Sequence, residues 1–581
     1  MGVYFYLMQK RGGIAVTNFK KEITDILAQK IEQIDHNELL EMLEIPPNSK
    51  MGDFAFPCFK LAKTYRKAPN IIAQEIAQSI NDNALFERVE NVAGYVNFFI
   101  DKRIFAESVI GEVLSKKEKY GSSDLGKGKK VIVEFSSPNI AKPFHIGHIR
   151  TTVIGNSIHK IYDFLGYETI TINHLGDYGT QFGKLIVAFK SWGNEEEVEA
   201  DPIPSLLKLY IKFHEEAEKN PSLDDEARMW FKKLEDGDEE ALRLWQWFRD
   251  VSLKEFSRVY SMLGISFDSF AGESFYSDKM PKVLKIMEEK GLLEESKGAE
   301  IVDLEPYGLS PALIRKSDGS TLYITRDIAA AIYRKEHYDF YKNIYVVGSQ
   351  QNLHFQQWIK IVELMGNEWA KDCIHVPFGM VSLEEGTMST RKGRVVFLED
   401  VLRKAVETTK EIIIQKDTKL DNIDEVAQQV GIGAVVFQEL SNNRIKDYVF
   451  SWDRTLNFDG ETGPYVQYTH ARACSVLRKA EIELDDKIDF TLLANDDSME
   501  LVRLIQQFPF VVGEAGRKNE PSIVTRYIVD VAQSFNKFYH DSPIIVKDKE
   551  LQKARLSLVF AAKQTISNGL GLLGVAATER M

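Results

Sequence analysis

Apolar and polar residues recur along this chain with two different periods, and the changes of period mark its parts. "GDFAFPCF" (52–59) and "GYVNFFI" (94–100) carry the dense apolar and aromatic runs of strands. They sit among stretches in which apolar residues return every three to four positions, as in helices. That mixture predicts an α+β module over 1–122. "YGSSDLGKGKK" (120–130) has little to bury and reads as a linker. Over 123–400, short apolar runs such as "VIVEF" (131–135) alternate with helical patterns, as in a parallel sheet covered by helices. Residues 193–300 or so interrupt this with a charged block of helical period, read as an insertion. "RKSDGSTLYITRD" (315–327) reads as a hairpin about an Asp-Gly turn. Over 401–581 the helical period dominates, predicting an all-helical C-terminal domain.

Composition narrows the class. A chain of 581 residues is too long for one core. No apolar run approaches the eighteen or so residues of a membrane span, and "GVYFYLM" near the start is too short for a secretory segment. Cys58, Cys373 and Cys474 lie far apart, without the spacing of a metal site or a disulfide framework. A cytoplasmic protein with no membrane role and no structural metal is expected. The net charge of −13 excludes a purely electrostatic nucleic-acid coater. It leaves room for a binder using local basic patches, because screening confines a charge to about 8 Å.

"AKPFHIGHIR" (141–150) raises the chemical question. It places two of the chain's 11 histidines three residues apart, where the strand "VIVEF" gives way to a helix marked by Ile154, Ile158, Ile161 and Leu165. Ligands bind at that edge of open α/β sheets, and the free N–H groups of a helix start favour anions. His145 and His148 project to one side, and Gly147 between them lets a flat group such as adenine approach the backbone. About 240 residues later, "GTMSTRKGRVV" (386–396) sets Ser389, Thr390, Arg391, Lys392 and Arg394 in a glycine-flanked loop able to close over phosphates.

Together these elements resemble the two signatures of class I aminoacyl-tRNA synthetases: His-Ile-Gly-His unaltered, and the Lys-Met-Ser-Lys-Ser loop degenerate as "TMSTR". "EFSSPNIAKPFHIGHIRTT", "NHLGDYGTQFGKL", "YITRDIAAA", "SQQNLHF", "FDGETGPYVQYTHAR" and the terminal "ERM" are similar, in that order, to the arginyl-tRNA synthetase family. The resemblance implies a multidomain α/β protein with a Rossmann-like catalytic domain, helical insertion, N-terminal added module and C-terminal helical anticodon-binding domain. It implies ligation of L-arginine to tRNA(Arg) through an arginyl-adenylate, with ATP as substrate, Mg²⁺ accompanying it, and a monomeric chain. Thr387 and Thr390 stand where the family's loop lysines belong. By the same resemblance Lys142 is the compensating cation, joined by Arg391 and Lys392.

The resemblance implies further roles residue by residue. His145, His148, Lys142 and Lys392 would stabilise developing phosphate charge, with Gly147, His354, Met388, Ser389 and Arg391 also at the nucleotide. Glu134 and Asp327 would hold the guanidino group, which a planar pair of acceptors suits, and Asn139, His174, Tyr323 and Gln351 would complete the pocket. Asp177 and Gln181 fall in the same neighbourhood, and Asp327 also suits the cap of the helix "IAAAIYR". On a helix starting at Pro464, Tyr468, Arg472, Ser475 and Lys479 share a face suited to stacking on unpaired bases. Tyr468, Arg472 and Lys479 are the tRNA candidates there. Lys60, Lys63 and Lys67, at helical spacing, suit the outer corner of the tRNA or simple solvation. Two other readings stay open: a different nucleotidyl transferase on the same sheet, and a synthetase-like RNA binder without catalysis.

Overall fold

The computed structural model describes residues 19–46, 48–317, 322–383, 396–415, 420–480, 484 and 487–581. The chain opens with helix α1 (Phe19–Ala28), which buries Phe19, Ile23 and Leu27 on one side. Strand β1 (Phe54–Pro57), helix α2 (Pro69–Ile80) and strands β2 (Phe86–Val92) and β3 (Tyr95–Ile100) follow, the strands forming an antiparallel sheet in the order β1-β3-β2. β2 carries no strand signal in the sequence: only Phe86 and Val89 of "FERVENV" are buried on this edge strand. The β2–β3 turn is made by Ala93 and Gly94, both at positive φ (50° and 85°), the geometry whose twist matches a tight hairpin.

Helix α3 (Lys102–Lys116) then carries the chain against the C-terminal domain, its start capped by Asp101, which accepts from the Ile104 N–H. The stretch 120–130 is no slack linker. Tyr120 is buried and its hydroxyl donates to Ile505 O at 2.7 Å, while residues 123, 126 and 128 donate to the carbonyls of Phe164, Leu165 and Gly166. Gly121 is needed there: a Cβ would stand 2.5 Å from the Phe508 ring. The expectation failed because that backbone is held by hydrogen bonds rather than by apolar side chains. Lys60, Lys63 and Lys67 do not share a helix face either. Their helix, Leu61–Tyr65, stops at Arg66 in the left-handed region, and Lys60 and Lys67 pair with Glu38 and Glu75.

The central sheet is built from β4 (Lys130–Glu134) and β5 (Glu168–Ile172), joined by helix α4 (Ile149–Phe164). Helix α5 (Thr180–Trp192) leads into insertion helices α6 (Pro202–Lys219), α7 (Ser222–Glu235) and α8 (Glu239–Leu263). A three-stranded antiparallel meander, β6 (Glu294–Ser296), β7 (Ala299–Val302) and β8 (Ala312–Arg315), closes this excursion. Beyond β8 the Asp-Gly turn lies outside the described residues, and the second arm of the expected hairpin is helical: α9 spans Tyr323–Tyr338. Asp327 therefore sits in its second turn, not at its cap. The expected second arm instead buries Ile324, Ile328 and Ile332 at helical spacing.

Strand β9 (Lys342–Gly348), helix α10 (Asn352–Leu364) and strand β10 (Cys373–Phe378) complete a fully parallel sheet of order β10-β9-β4-β5. The chain winds from β4 towards β5 on one side and later adds β9 and β10 on the other. The crevice beyond the carboxyl ends of β4 and β9 is thus the switch point of the sheet, where ligands bind in such folds.

Strand β11 (Val381–Leu383) pairs in parallel with β12 (Tyr448–Phe450), so a strand occurs inside the stretch expected to be all-helical. The long helices that follow are α11 (Leu398–Gln415), α12 (Ile423–Ser441), α13 (Gly463–Ala480), α14 (Asp496–Lys518), α15 (Ser522–Asp541) and α16 (Lys549–Leu572). The final residues fold back on α13: His470 Nδ1 lies 2.8 Å from Thr578 O, and Gln467 donates to Ala576 O. Among the described residues no helix is long and apolar enough to cross a membrane.

One buried ion pair joins the sheet to this domain. Arg150 of α4 and Glu439 of α12 are 0% and 1% exposed and lie 2.6 Å apart. Replacing Glu439 with Gln should cost roughly 3–5 kcal/mol, because Arg150 is left buried without its counter-charge. The double substitution Arg150→Met/Glu439→Leu should recover most of the loss in urea unfolding.

Candidate active site

The site grows from the turn after β4. Ser136, Ser137 and Ala141 all take positive φ (71°, 47° and 58°), which swings the chain across the sheet edge before it re-enters at His145. Side chains from other elements hold this backbone. Ser136 N–H donates to Thr151 Oγ1 of α4, Ser137 N–H to Asn173 Oδ1 and Ala141 N–H to Ser252 Oγ of α8. Asn139 is exposed at the rim, packed close to Gly176: a Cβ there would stand 2.3 Å from Asn139 Oδ1 and turn that side chain aside.

His145 caps a single 3₁₀ turn (Ile146–His148) that runs into α4. Its Nδ1 accepts the Gly147 N–H at 3.0 Å, and His148 Nδ1 accepts the His145 N–H at 3.1 Å. The backbone thus sets both tautomers, and each neutral ring carries its proton on Nε2. The rings lie with centroids 4.0 Å apart, His148 also stacking on Phe144. Burial lowers the pKa of both. For His148, burial and then the neighbouring His145 and Lys142 hold it down to about 3. At neutral pH the pair presents hydrogen-bond donors, not imidazolium charge.

The expected loop, with Met388, Ser389, Arg391 and Lys392, lies outside the described residues, but both its roots are fixed. One is the β11–β12 pair. The other is stitched to the histidines: Ile146 N–H donates to Val396 O, Leu398 N–H donates to Phe144 O, and Phe397 stands opposite His145.

The opposite wall is acidic. Glu134, at the end of β4, is buried and lies 2.5 Å from Arg334 of α9, which is fully buried. Arg334 also donates to the Tyr276 hydroxyl at 3.3 Å and lies 3.4 Å from His174 Nδ1. Asp177 is buried too, accepting from the N–H and hydroxyl of Ser274 and pairing with Arg249, so it ties the loop after β5 to the insertion. Glu273 pairs with Arg326 at 3.1 Å. Burial pushes its carboxyl up to about 7, with Asp327 and Asp177 adding to the rise and Arg326 and Lys142 offsetting part of it. Lys142 is half-buried, and its ammonium stands 5.9 Å from the Tyr210 ring.

The fourth carboxylate, Asp327, is half-exposed, and its Oδ2 lies 2.5 Å from His354 Nε2. Tyr323 is 61% exposed one turn earlier on α9, and Gln351 is exposed in the turn before α10. Gln181 is half-buried at the start of α5. The structure thus gathers His145, His148, Lys142, Glu134, Asn139, His174, Tyr323, Asp327, Gln351 and His354 at the carboxyl edge of the sheet. Sequence reasoning missed Arg326, Arg334, Arg249 and Glu273. Arg334 was findable, since it falls seven residues after Asp327 on an otherwise apolar helix face, whereas Glu273 carries no local signal. Among the described residues no group of three or more His, Cys, Asp or Glu is arranged to hold a metal ion.

Away from this cleft, α13 exposes Tyr468 and Lys479, and Arg472 lies between the rings of Tyr468 (4.9 Å) and Tyr539 (5.5 Å).

Three family models match the chain: class I tRNA synthetases (R), catalytic domain, over 109–452; the DALR anticodon binding domain over 466–581; and the arginyl tRNA synthetase N terminal domain over 18–100. Arginine--tRNA ligases of Clostridioides difficile (strain 630) and Halothermothrix orenii are 66% and 63% identical over 564 residues, 97% of this chain and 100% of each relative. Two solved structures superpose along its length. The Thermus thermophilus arginyl-tRNA synthetase has a TM-score of 0.81 at 25% identity, covering 97% of this chain and 100% of its own. The Plasmodium falciparum enzyme has 0.80 at 26%, covering 98% and 100%.

The depressed pKa of His148 has a measurable sign. Between pH 6.5 and about 3 the unfolded chain binds a proton here that the folded chain refuses, so stability falls as pH drops through that window. In His148→Asn the acid limb of the urea-unfolding free energy should be shallower over the same range.

Proposed function

The chain belongs to the class I arginyl-tRNA synthetases, and from that premise we propose how its residues divide the work of joining L-arginine to tRNA(Arg). The reaction is ATP-dependent aminoacylation, so ATP, arginine and tRNA(Arg) are the substrates. The two alternatives, another nucleotidyl transferase and a non-catalytic relative, fall with that membership.

One observation carries the assignment of the amino-acid pocket. Of the four carboxylates on the acidic wall, Glu134, Asp177 and Glu273 each face a guanidinium of the chain itself, whereas Asp327 faces an imidazole and is half-exposed. A guanidino group entering the cleft finds Asp327 as its principal acceptor. Glu134 acts mainly by fixing Arg334, and meets the substrate through its remaining oxygen. Asn139, His174, Tyr323 and Gln351 line the rest of the pocket. This division supports selection of arginine over lysine, because a planar fork gains two parallel bonds where an ammonium gains one.

In the first step a carboxylate oxygen of arginine attacks the α-phosphorus of ATP, and the bond to pyrophosphate breaks. Charge grows on the bridging and equatorial oxygens. His145 and His148 meet it as Nε2–H donors, Lys142 adds a cation from the other side, and Met388, Ser389, Arg391 and Lys392 close over the phosphates. Gly147 and His354 border the nucleoside. Donors set in advance need no reorganisation as charge develops, which is why they act on rate more than on binding. In the second step the 2′-hydroxyl of the terminal adenosine attacks the arginyl carbonyl and AMP leaves. Mg²⁺ would accompany ATP as its counter-ion.

The exposed Tyr468 and Lys479, with the half-buried Arg472 held between Tyr468 and Tyr539, suit stacking on unpaired anticodon bases and phosphate contact. We assign residues 1–122 to the outer corner of the tRNA, 123–400 to catalysis and 401–581 to the anticodon, in a monomeric cytoplasmic enzyme.

Arginine-dependent pyrophosphate exchange on the purified protein tests the whole scheme. Exchange should be negligible until tRNA(Arg) is added. With tRNA present, His148→Asn should lower its rate by about 10²–10³ while ATP binding changes little. Asp327→Asn should instead raise the KM for arginine at least about ten-fold, the cost of roughly one charge-assisted hydrogen bond. Robust exchange without tRNA, or an unchanged KM in Asp327→Asn, contradicts the corresponding part.

A further inference from the structure

The carboxylate on which arginine recognition rests is shared. Asp327 reaches from the second turn of α9, and His354 from the first turn of α10, to meet at 2.5 Å. Both lie on the wall of the cleft, their side chains 32% and 25% exposed, so the contact is open to an incoming ligand. Their surroundings leave each little else to bind. Arg326, next to Asp327, turns to Glu273 at 3.1 Å, and its guanidinium lies over Tyr178 at 4.9 Å. His354 meets Phe355 edge-on at 6.0 Å, and Phe355 in turn stacks on His375.

The two possible occupants of Asp327 differ in kind. An imidazole offers one N–H to one oxygen, whereas a guanidinium offers two parallel N–H groups to both oxygens. Bidentate capture draws on Oδ2 as well as Oδ1, so the fork and the imidazole that lies 2.5 Å from Oδ2 compete for the same oxygen.

We propose that His354 is an intramolecular competitor for Asp327, displaced when the guanidino group of arginine takes both carboxylate oxygens. The proposal rests on the reading of Asp327 as the principal acceptor. It makes His354 a specificity-determining residue acting before chemistry. By holding Asp327 in place, the imidazole sets a threshold that a ligand with a bidentate donor crosses and a neutral or single-point donor does not. Arginine affinity is accordingly lower than the pocket alone would give, and displacement frees His354 at the amino end of α10, beside the nucleotide crevice.

Calorimetric titration of L-arginine into the full-length protein tests this. His354→Ala removes the competitor and should tighten arginine binding about five-fold, the scale of a half-exposed pair. His354→Gln, whose amide can donate a single hydrogen bond to the same oxygen, should stay close to the unmodified protein. A merely structural role for His354 predicts weaker binding, so a gain in affinity separates the two. Unchanged or weaker binding in His354→Ala overturns displacement. The parent reading is checked separately with Asp327→Asn. If that variant still weakens arginine at least about ten-fold, the acceptor assignment survives the loss of the competitor. If it leaves arginine binding unaltered, the acceptor assignment fails and the proposal fails with it. Should His354→Ala not fold, the ring resonances of His354 in selectively labelled protein, assigned through His354→Gln, give the answer. They should move on saturation with arginine, and their constancy would refute displacement.

Discussion

The guanidinium of Arg150 is closed off from water, and the junction of the molecule is organised around replacing that water. Glu439 supplies the counter-charge, the carbonyls of Gly379 and Lys446 accept from its Nη1 at 3.1 and 2.8 Å, and the Tyr448 hydroxyl donates to Glu439. A charge so placed tolerates few arrangements of its neighbours. Arg150 is the second residue after His148, Gly379 lies two residues before β11 at one root of the expected phosphate loop, and Glu439 belongs to the C-terminal domain. Histidine turn, loop root and helical domain are therefore positioned by one set of contacts. Displacing any of them uncovers a buried charge.

The same principle shapes the cleft, with the opposite outcome. There the chain supplies its own guanidinium ions, Arg249, Arg326 and Arg334, to three acidic groups and leaves a histidine on the fourth. A protein that must bind a cation faces a conflict, since unpaired buried carboxylates tend to neutralise themselves by taking up protons. Glu273 shows that pressure, its carboxyl pushed up to about 7 despite Arg326 beside it. Matching three of the acids internally leaves Asp327, the most exposed of the four, without a guanidinium partner among the described residues. The histidine pair follows a complementary course: burial keeps both rings neutral, and the backbone aims their protons.

Much of this was legible in the sequence, for identifiable reasons. "VIVEF" followed by "SSPN" and an isoleucine stripe specified strand, turn and helix because each step is local: an apolar run, helix-breaking residues, then a 3.6-residue period. The histidines at that junction drew their meaning from the sheet edge and from the resemblance of the surrounding motifs to one family. What failed was also physical. "LYITRD" alternates well enough for a strand, yet Ile324, Ile328 and Ile332 bury as a helix once the meander before it and β9 after it are in place. The three lysines at 60, 63 and 67 share helical spacing but not a helix, because Arg66 leaves the right-handed region. The partners of the acidic wall were invisible since Glu273 and Arg249 come from the insertion, about a hundred or more residues after Glu134. Their meeting is a property of the folded chain, and no local pattern records it.

The backbone after β4 shows what the geometry of the histidine turn demands of stability. Left-handed φ at a residue with a Cβ costs about 1–2 kcal/mol, and Ser136, Ser137 and Ala141 adopt it within a six-residue stretch. Glycine would remove that cost at each position, but it would also widen the range of turns the segment could take. Instead the strain is offset by hydrogen bonds to Thr151, Asn173 and Ser252, one from α4, one from the loop after β5 and one from the insertion. Each anchor lies on a different element, so the turn is correct only when sheet, helix and insertion are all in place. Thr151 in turn donates to Val346 O of β9, and Thr152 to His148 O, which carries the same constraint to the histidines. The segment is strained where contacts from three separate elements must be met together, and the positions of His145 and His148 follow from those contacts.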